Sequence, residues 1–167
     1  MEQKKLLIIT YYFPPAGGPG VQRWLKFVKY LPEFDVQPIV YVPENPTYPI
    51  IDEGLVSQIS DKVIVLKNKI WEPYQLASIF SKNKTKKISS GIFPHKKKQT
   101  FLDKTFLWVR GNLFIPDARV FWVKPSVAYL EKYIKENNIN TIVTSGPPHS
   151  LHLIGLELKE KLNVKWF

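Results

Sequence analysis

Apolar residues fall along this chain in two alternating rhythms. Residues 6–9 (LLII) form a continuous apolar run behind two lysines, the pattern of a strand buried on both faces, as in parallel sheets. The next rhythm is helical. Trp24, Phe27, Val28 and Leu31 fall at i, i+3, i+4 and i+7, with Arg23, Lys26 and Lys29 off that stripe and Pro32 at its end. Residues 36–42 (VQPIVYV) predict a second strand, broken by Pro43, Pro46 and Pro49, and residues 62–66 (KVIVL) a third. Further on, Val127, Leu130 and Ile134 form the inner stripe of another helix, with Glu131 and Lys135 as an i,i+4 pair. Residues 141–144 (TIVT) predict a strand, Ser150 is placed to cap a helix over 151–162, and residues 164–167 open one more strand. The alternation predicts an α/β domain with right-handed crossovers, a parallel sheet and helices on both faces.

The stretch between these rhythms differs from both. No acidic residue occurs from 73 to 102, and seven lysines lie between Lys82 and Lys98. Residues 101–115 then carry nine large apolar residues in fifteen. We treat 82–115 as a basic and apolar insertion. On a helix, Leu102, Phe106, Val109 and Leu113 share one face, widened by Phe101 and Trp108. That face either packs on the sheet, with the lysines as a solvated loop, or dips into an anionic membrane surface.

Composition narrows the picture. At 167 residues, 44% hydrophobic and 14% aromatic, the chain suits one domain with a real core. It contains no cysteine, which excludes disulfides and thiolate zinc sites. No apolar run reaches the roughly 18 residues of a bilayer span, and residues 1–5 have no signal-peptide pattern. A cytoplasmic location is the simplest expectation, with peripheral attachment to the inner membrane face if the insertion docks there. The formal charge of +10 asks for a polyanion, an anionic surface or a phosphorylated ligand. The last residues, Trp166 and Phe167, fall inside a strand-like run, so we expect a truncated chain, with a short natural edge strand as the alternative. No internal repeat is present.

Three groups could carry chemistry. After the first strand, Pro14 and Pro15 stop the chain, and Gly17, Gly18 and Gly20 would let backbone N–H groups approach a phosphate at a helix N-terminus. A tight turn that needs glycine is the plain alternative. A dinucleotide-binding GxGxxG loop is a poor fit, because the position it requires is Arg23, and Glu44 alone makes a weak ribose ligand. His149 follows the fourth predicted strand, between Pro148 and a helix start, where it either contacts ligand or simply caps the helix. Ser145 and Gly146 line the same turn. His152 reads as structural, and with no third ligand nearby the two histidines make a poor metal site. Asp117 and Arg119 follow Pro116. Asp117 suits a cap on the helix after it, and Arg119 either meets an acceptor phosphate or stays on the surface.

Three stretches together carry a family resemblance: TYYFPPAGGPGVQRWLKFVKYLP from Thr10, IPDARVFWVKPSVAYL from Ile115, and TSGPPHSLHLIGLELK from Thr144. They resemble the amino-terminal half of family 4 glycosyltransferases of the two-domain GT-B class. The resemblance covers nearly the whole chain, is weakest over 69–100, and extends only to the first half of such an enzyme. It implies a Rossmann-like domain that binds the sugar acceptor. A carboxy-terminal nucleotide-binding domain, absent here, would hold the donor. It also implies that Gly17 and Gly18 reach the diphosphate of a nucleoside diphosphate sugar, that His149 lines the site, and that no metal or other cofactor is required. The expected function is therefore the acceptor half of a retaining transferase that builds a surface polysaccharide or a lipid-linked glycan. The rival from another class is a non-catalytic basic module binding nucleic acid or another polyanion. No standard nucleic-acid motif occurs, and the lysines are confined to one segment rather than interleaved with aromatics, so no nucleic-acid partner is expected.

Overall fold

In the computed structural model, which describes residues 3–71 and 115–167, five strands pair side by side. They are β1 (Lys4–Thr10), β2 (Val36–Pro43), β3 (Ile64–Asn68), β4 (Thr141–Ser145) and β5 (Lys165–Trp166). Their spatial order is β3-β2-β1-β4-β5, and every pairing is parallel. β1 is central, and Leu7, Ile8 and Ile9 are all fully buried, which explains why its apolar run does not alternate.

Among the described residues, three helices cover the sheet: α1 (Pro19–Tyr30), α2 (Val123–Glu136) and α3 (Ser150–Leu162). On one face, Val28 of α1 packs with Ile8, Val40 and Val42, and Trp24 and Leu31 close against them. On the other face, Val127, Leu130 and Ile134 of α2 and Leu151, Ile154 and Leu158 of α3 meet Leu7, Ile9, Ile39, Tyr41 and Ile142. Odd and even positions of β1 thus serve opposite faces, as the two-residue period of a strand requires. This is a Rossmann-like α/β arrangement with helices on both faces of a parallel sheet.

Several local expectations shift. α1 buries Val21, Leu25 and Val28, whereas Phe27 is 54% exposed. The sequence offers two overlapping stripes, and the glycine loop selects the one that lets Val21 and Leu25 pack on Ala16 and Leu55. β3 starts two residues later than the apolar run, because Val63 N–H closes a turn onto the Ser60 carbonyl. On α2, the expected pair forms: Lys135 Nζ lies 2.8 Å from Glu131 Oε1, and Lys161 of α3 reaches Oε2 of the same carboxylate at 3.4 Å. The helix and lysines read over 82–114, with Phe106 and Trp108, lie outside the described residues. No helix among the described residues is long and apolar enough to cross a membrane.

Candidate functional site at the carboxyl rim of the sheet

β1, β2 and β3 progress toward one edge of the sheet, and β4 and β5 toward the other. The winding therefore reverses between β1 and β4. In open α/β sheets a crevice forms beyond the carboxyl ends of the strands at such a switch point. Thr10 is in register with Ser145, so the loops leaving β1 and β4 emerge side by side on one rim.

The β1 loop is tied to the segment after β2. Ala16 and Ile51 form an antiparallel bridge, Gly17 N–H donates to the Ile50 carbonyl at 3.0 Å, and Asp52 N–H donates to the Pro15 carbonyl at 2.8 Å. Tyr48 Oη adds a hydrogen bond to the Tyr11 carbonyl at 3.0 Å. These contacts separate the two glycines that the sequence grouped. A Cβ on Gly17 would stand 2.8 Å from Ile50 Cγ2, so this glycine serves close packing and its N–H is already engaged. Gly18 has φ +114°, a conformation L side chains rarely adopt, and open space where a Cβ would be. It is the N-cap of α1, with no side-chain cap and no acidic residue in the first turn. Pro19, the first residue of α1, has no N–H, and Gln22 N–H already donates to the Gly18 carbonyl at 3.2 Å, so the helix-start amides without an intrahelical partner are those of Gly20 and Val21.

The β4 loop runs Ser145, Gly146, Pro147, Pro148, His149, with the Gly146–Pro147 and Pro147–Pro148 peptides both cis. Trp24 Nε1 donates to Ser145 Oγ at 2.6 Å and ties α1 to the end of β4. His149 is exposed at the N-cap of α3, and its imidazole makes no cap hydrogen bond. His152 lies one turn on, its ring centroid 6.0 Å from that of His149. A Cβ on Gly146 would come within 2.9 Å of His152 Nε2 and 3.5 Å of His149 Nδ1, so the missing side chain is what lets both rings close over this turn. His152 Nδ1 lies 2.8 Å from Thr144 Oγ1, which also accepts from Trp166 Nε1 at 2.9 Å. No cluster of three or more His, Cys, Asp or Glu able to hold a metal occurs among the described residues.

Asp117 and Arg119 differ from expectation. Asp117 Oδ1 accepts Arg119 N–H at 2.8 Å, but the same carboxylate also reaches the start of α3. Its Oδ2 accepts Ser150 N–H at 2.8 Å, and Oδ1 accepts the Ser150 hydroxyl at 2.9 Å. Asp117 therefore caps α3 as well as its own turn, and Ser150 is a donor to that carboxylate rather than the cap. A negative side chain already fills the positive end of α3. Arg119 is half-buried, its guanidinium 5.0 Å from the centre of the buried Tyr11 ring, and is not a plain surface arginine.

Gly17, Gly18, Asp117, Arg119, Ser145, Gly146 and His149 thus lie at this rim. Sequence reading missed Trp24, Thr144 and Trp166, whose role depends on indole hydrogen bonds between distant segments. Two concavities among the described residues lie elsewhere. One of about 440 Å³ is lined by Asn138, Asn140 and Val164 at the opposite end of the sheet, and one of about 380 Å³ by Lys26, Lys29 and Lys62. Fold and rim together define a Rossmann-like α/β domain. No protein-family model, curated protein or solved structure matches the chain.

Proposed function

We propose that this chain is the acceptor-side half of a nucleoside-diphosphate-sugar-dependent glycosyltransferase of the GT-B class. One observation carries the reading: the uncapped N-terminus of α1 at Gly18 and the Ser145–His149 turn share the switch-point rim. The motif resemblance supplies the chemistry that the rim would serve. The Gly20 and Val21 amides at the start of α1, past Pro19, which has none, would stabilise charge building on the departing diphosphate. His149, exposed and without a cap bond, would hydrogen-bond the transferred sugar or the acceptor hydroxyl. Arg119 and Ser145 would line the acceptor side. A second domain would close over this rim and bring the nucleotide. The products would be a surface polysaccharide or a lipid-linked glycan, with retention at the anomeric carbon.

The test is a thermal-shift screen of the full-length gene product against nucleoside diphosphate sugars, followed by transfer assays with the stabilising donor. Stabilisation by one donor class supports the reading. This chain alone should neither transfer sugar nor bind the donor at micromolar concentration in calorimetry. Micromolar donor binding here would show that the two halves are wrongly assigned.

A further inference from the structure

Three side chains from three elements form a directed chain behind the rim. Trp166 on β5 carries an indole N–H, which can only donate, and it donates to Thr144 Oγ1 at 2.9 Å. Thr144 on β4 is buried, so its own hydroxyl proton also needs an acceptor. The acceptor beside it is Nδ1 of His152, at 2.8 Å. If Nδ1 takes that proton as an acceptor, the neutral ring must carry its own proton on Nε2. Gly146 leaves room for that edge, since a Cβ there would stand only 2.9 Å from Nε2. Gly155 makes the chain possible from the other side. A Cβ at that position would run into Trp166 Nε1 and would lie 2.7 Å from Thr144 Cγ2.

We infer that His152 is a positioning residue of the rim, locked as the Nε2–H tautomer by Trp166 and Thr144. It presents a fixed donor to a ligand oxygen beside Gly146. This rests on the reading of the rim as the ligand edge and deepens it by dividing the work of the two histidines. His149 is exposed at the helix start and makes no cap hydrogen bond. His152 already bears a proton on the nitrogen that faces the rim, so it donates there and cannot serve as a base. The ligand group it suits is an acceptor oxygen, whether on a phosphate or on a sugar ring.

The experiment is long-range proton–nitrogen NMR of the imidazoles in the ¹⁵N-labelled chain, under conditions where the rings are neutral. His152 should show a single tautomer, with Nε2 protonated and Nδ1 at the shift of a hydrogen-bonded acceptor. Thr144→Ser should keep that signature. Thr144→Val should move Nδ1 to the shift of an unbonded nitrogen while His149 stays unchanged. Trp166→Phe, which keeps an aromatic ring, should weaken the Nδ1 bond without removing it. Titration with inorganic pyrophosphate in one arm and a methyl glycoside in another should shift the Nε2 proton in at least one. Probe binding, followed in parallel at the Gly146 backbone amide beside that ring edge, should weaken in His152→Ala and be kept in His152→Gln, whose amide can donate from a similar position. A protonated Nδ1, or tautomers unaffected by Thr144→Val in a folded chain, would overturn the lock. No response to either probe would overturn the donor role. These outcomes do not depend on transferase activity, so they are separable from failure of the functional reading.

Discussion

The carboxylate of Asp117 receives both the backbone N–H and the hydroxyl of Ser150, at 2.8 and 2.9 Å, across 33 positions of sequence. It thereby joins the turn before α2 to the first turn of α3. Ser150 is almost fully buried, so neither of its donors has water as an alternative.

Asp117→Ala should therefore destabilise the chain by about 2–3 kcal/mol, the cost of stranding buried donors at a helix start. Asp117→Asn, which keeps one acceptor oxygen, should lose less. Urea denaturation measures both, and a midpoint unchanged in Asp117→Ala would remove the carboxylate from the cap.

Two glycines should respond with opposite sign. Gly155 is buried, and a methyl group there collides with Trp166 and Thr144. Gly155→Ala should cost about 1–3 kcal/mol through overpacking, outweighing its better helix propensity. Gly20 has open space and no positive φ, so Gly20→Ala should be neutral or stabilise by about 0.4–1 kcal/mol. Thermal melts of the two variants side by side decide this.

Tyr41 lies fully buried on β2, its hydroxyl 2.9 Å from Ser126 Oγ, and burial pushes its pKa up to about 12. In the unfolded chain the phenol ionises near the ordinary value of about 10. The folded state keeps the proton where the unfolded state has lost it, so this contribution is complete below about pH 10 and is lost as pH rises toward about 12. Stability of the wild type should fall more steeply over that window than that of Tyr41→Phe. Parallel slopes in denaturant titrations would contradict the shift.

In the complete enzyme we propose, Gly17 and Gly18 should fail in different ways. Gly17→Ala forces the loop off Ile50, so it should lower both stability and turnover. Gly18→Ala meets no neighbour but is strained at φ +114°, and Gly18→Val adds bulk where the diphosphate would approach. Gly18→Val should reduce kcat/KM at least tenfold with a smaller effect on the melting temperature. Unchanged turnover would take this loop out of the mechanism.

The layout was legible in the sequence because strands buried on both faces leave unbroken apolar runs, and prolines and glycines mark where they stop. Residues 6–9 and 36–42 point directly at β1 and β2. The β1 and β4 turns were legible for the same reason. Phe27 was misplaced because α1 carries two overlapping stripes, and only packing against Ala16 and Leu55 chooses between them. Asp117 was read as a local cap because its second partner, Ser150, is close only after the chain has folded. His152 read as structural because one ring nitrogen is; the other lies against Gly146, a juxtaposition set by two turns and invisible in spacing.

The stitch between the β1 loop and residues 50–52 bears on how costly binding would be. Because Pro15, Ala16 and Gly17 are held to Asp52, Ile51 and Ile50, the shape of the loop is fixed when the domain folds. A ligand arriving at Gly18 would meet a surface whose disorder has already been removed, and would lose little of its binding energy in arranging it. Loosening that seam at Ile51 would then weaken binding by returning to the ligand the cost of ordering the loop.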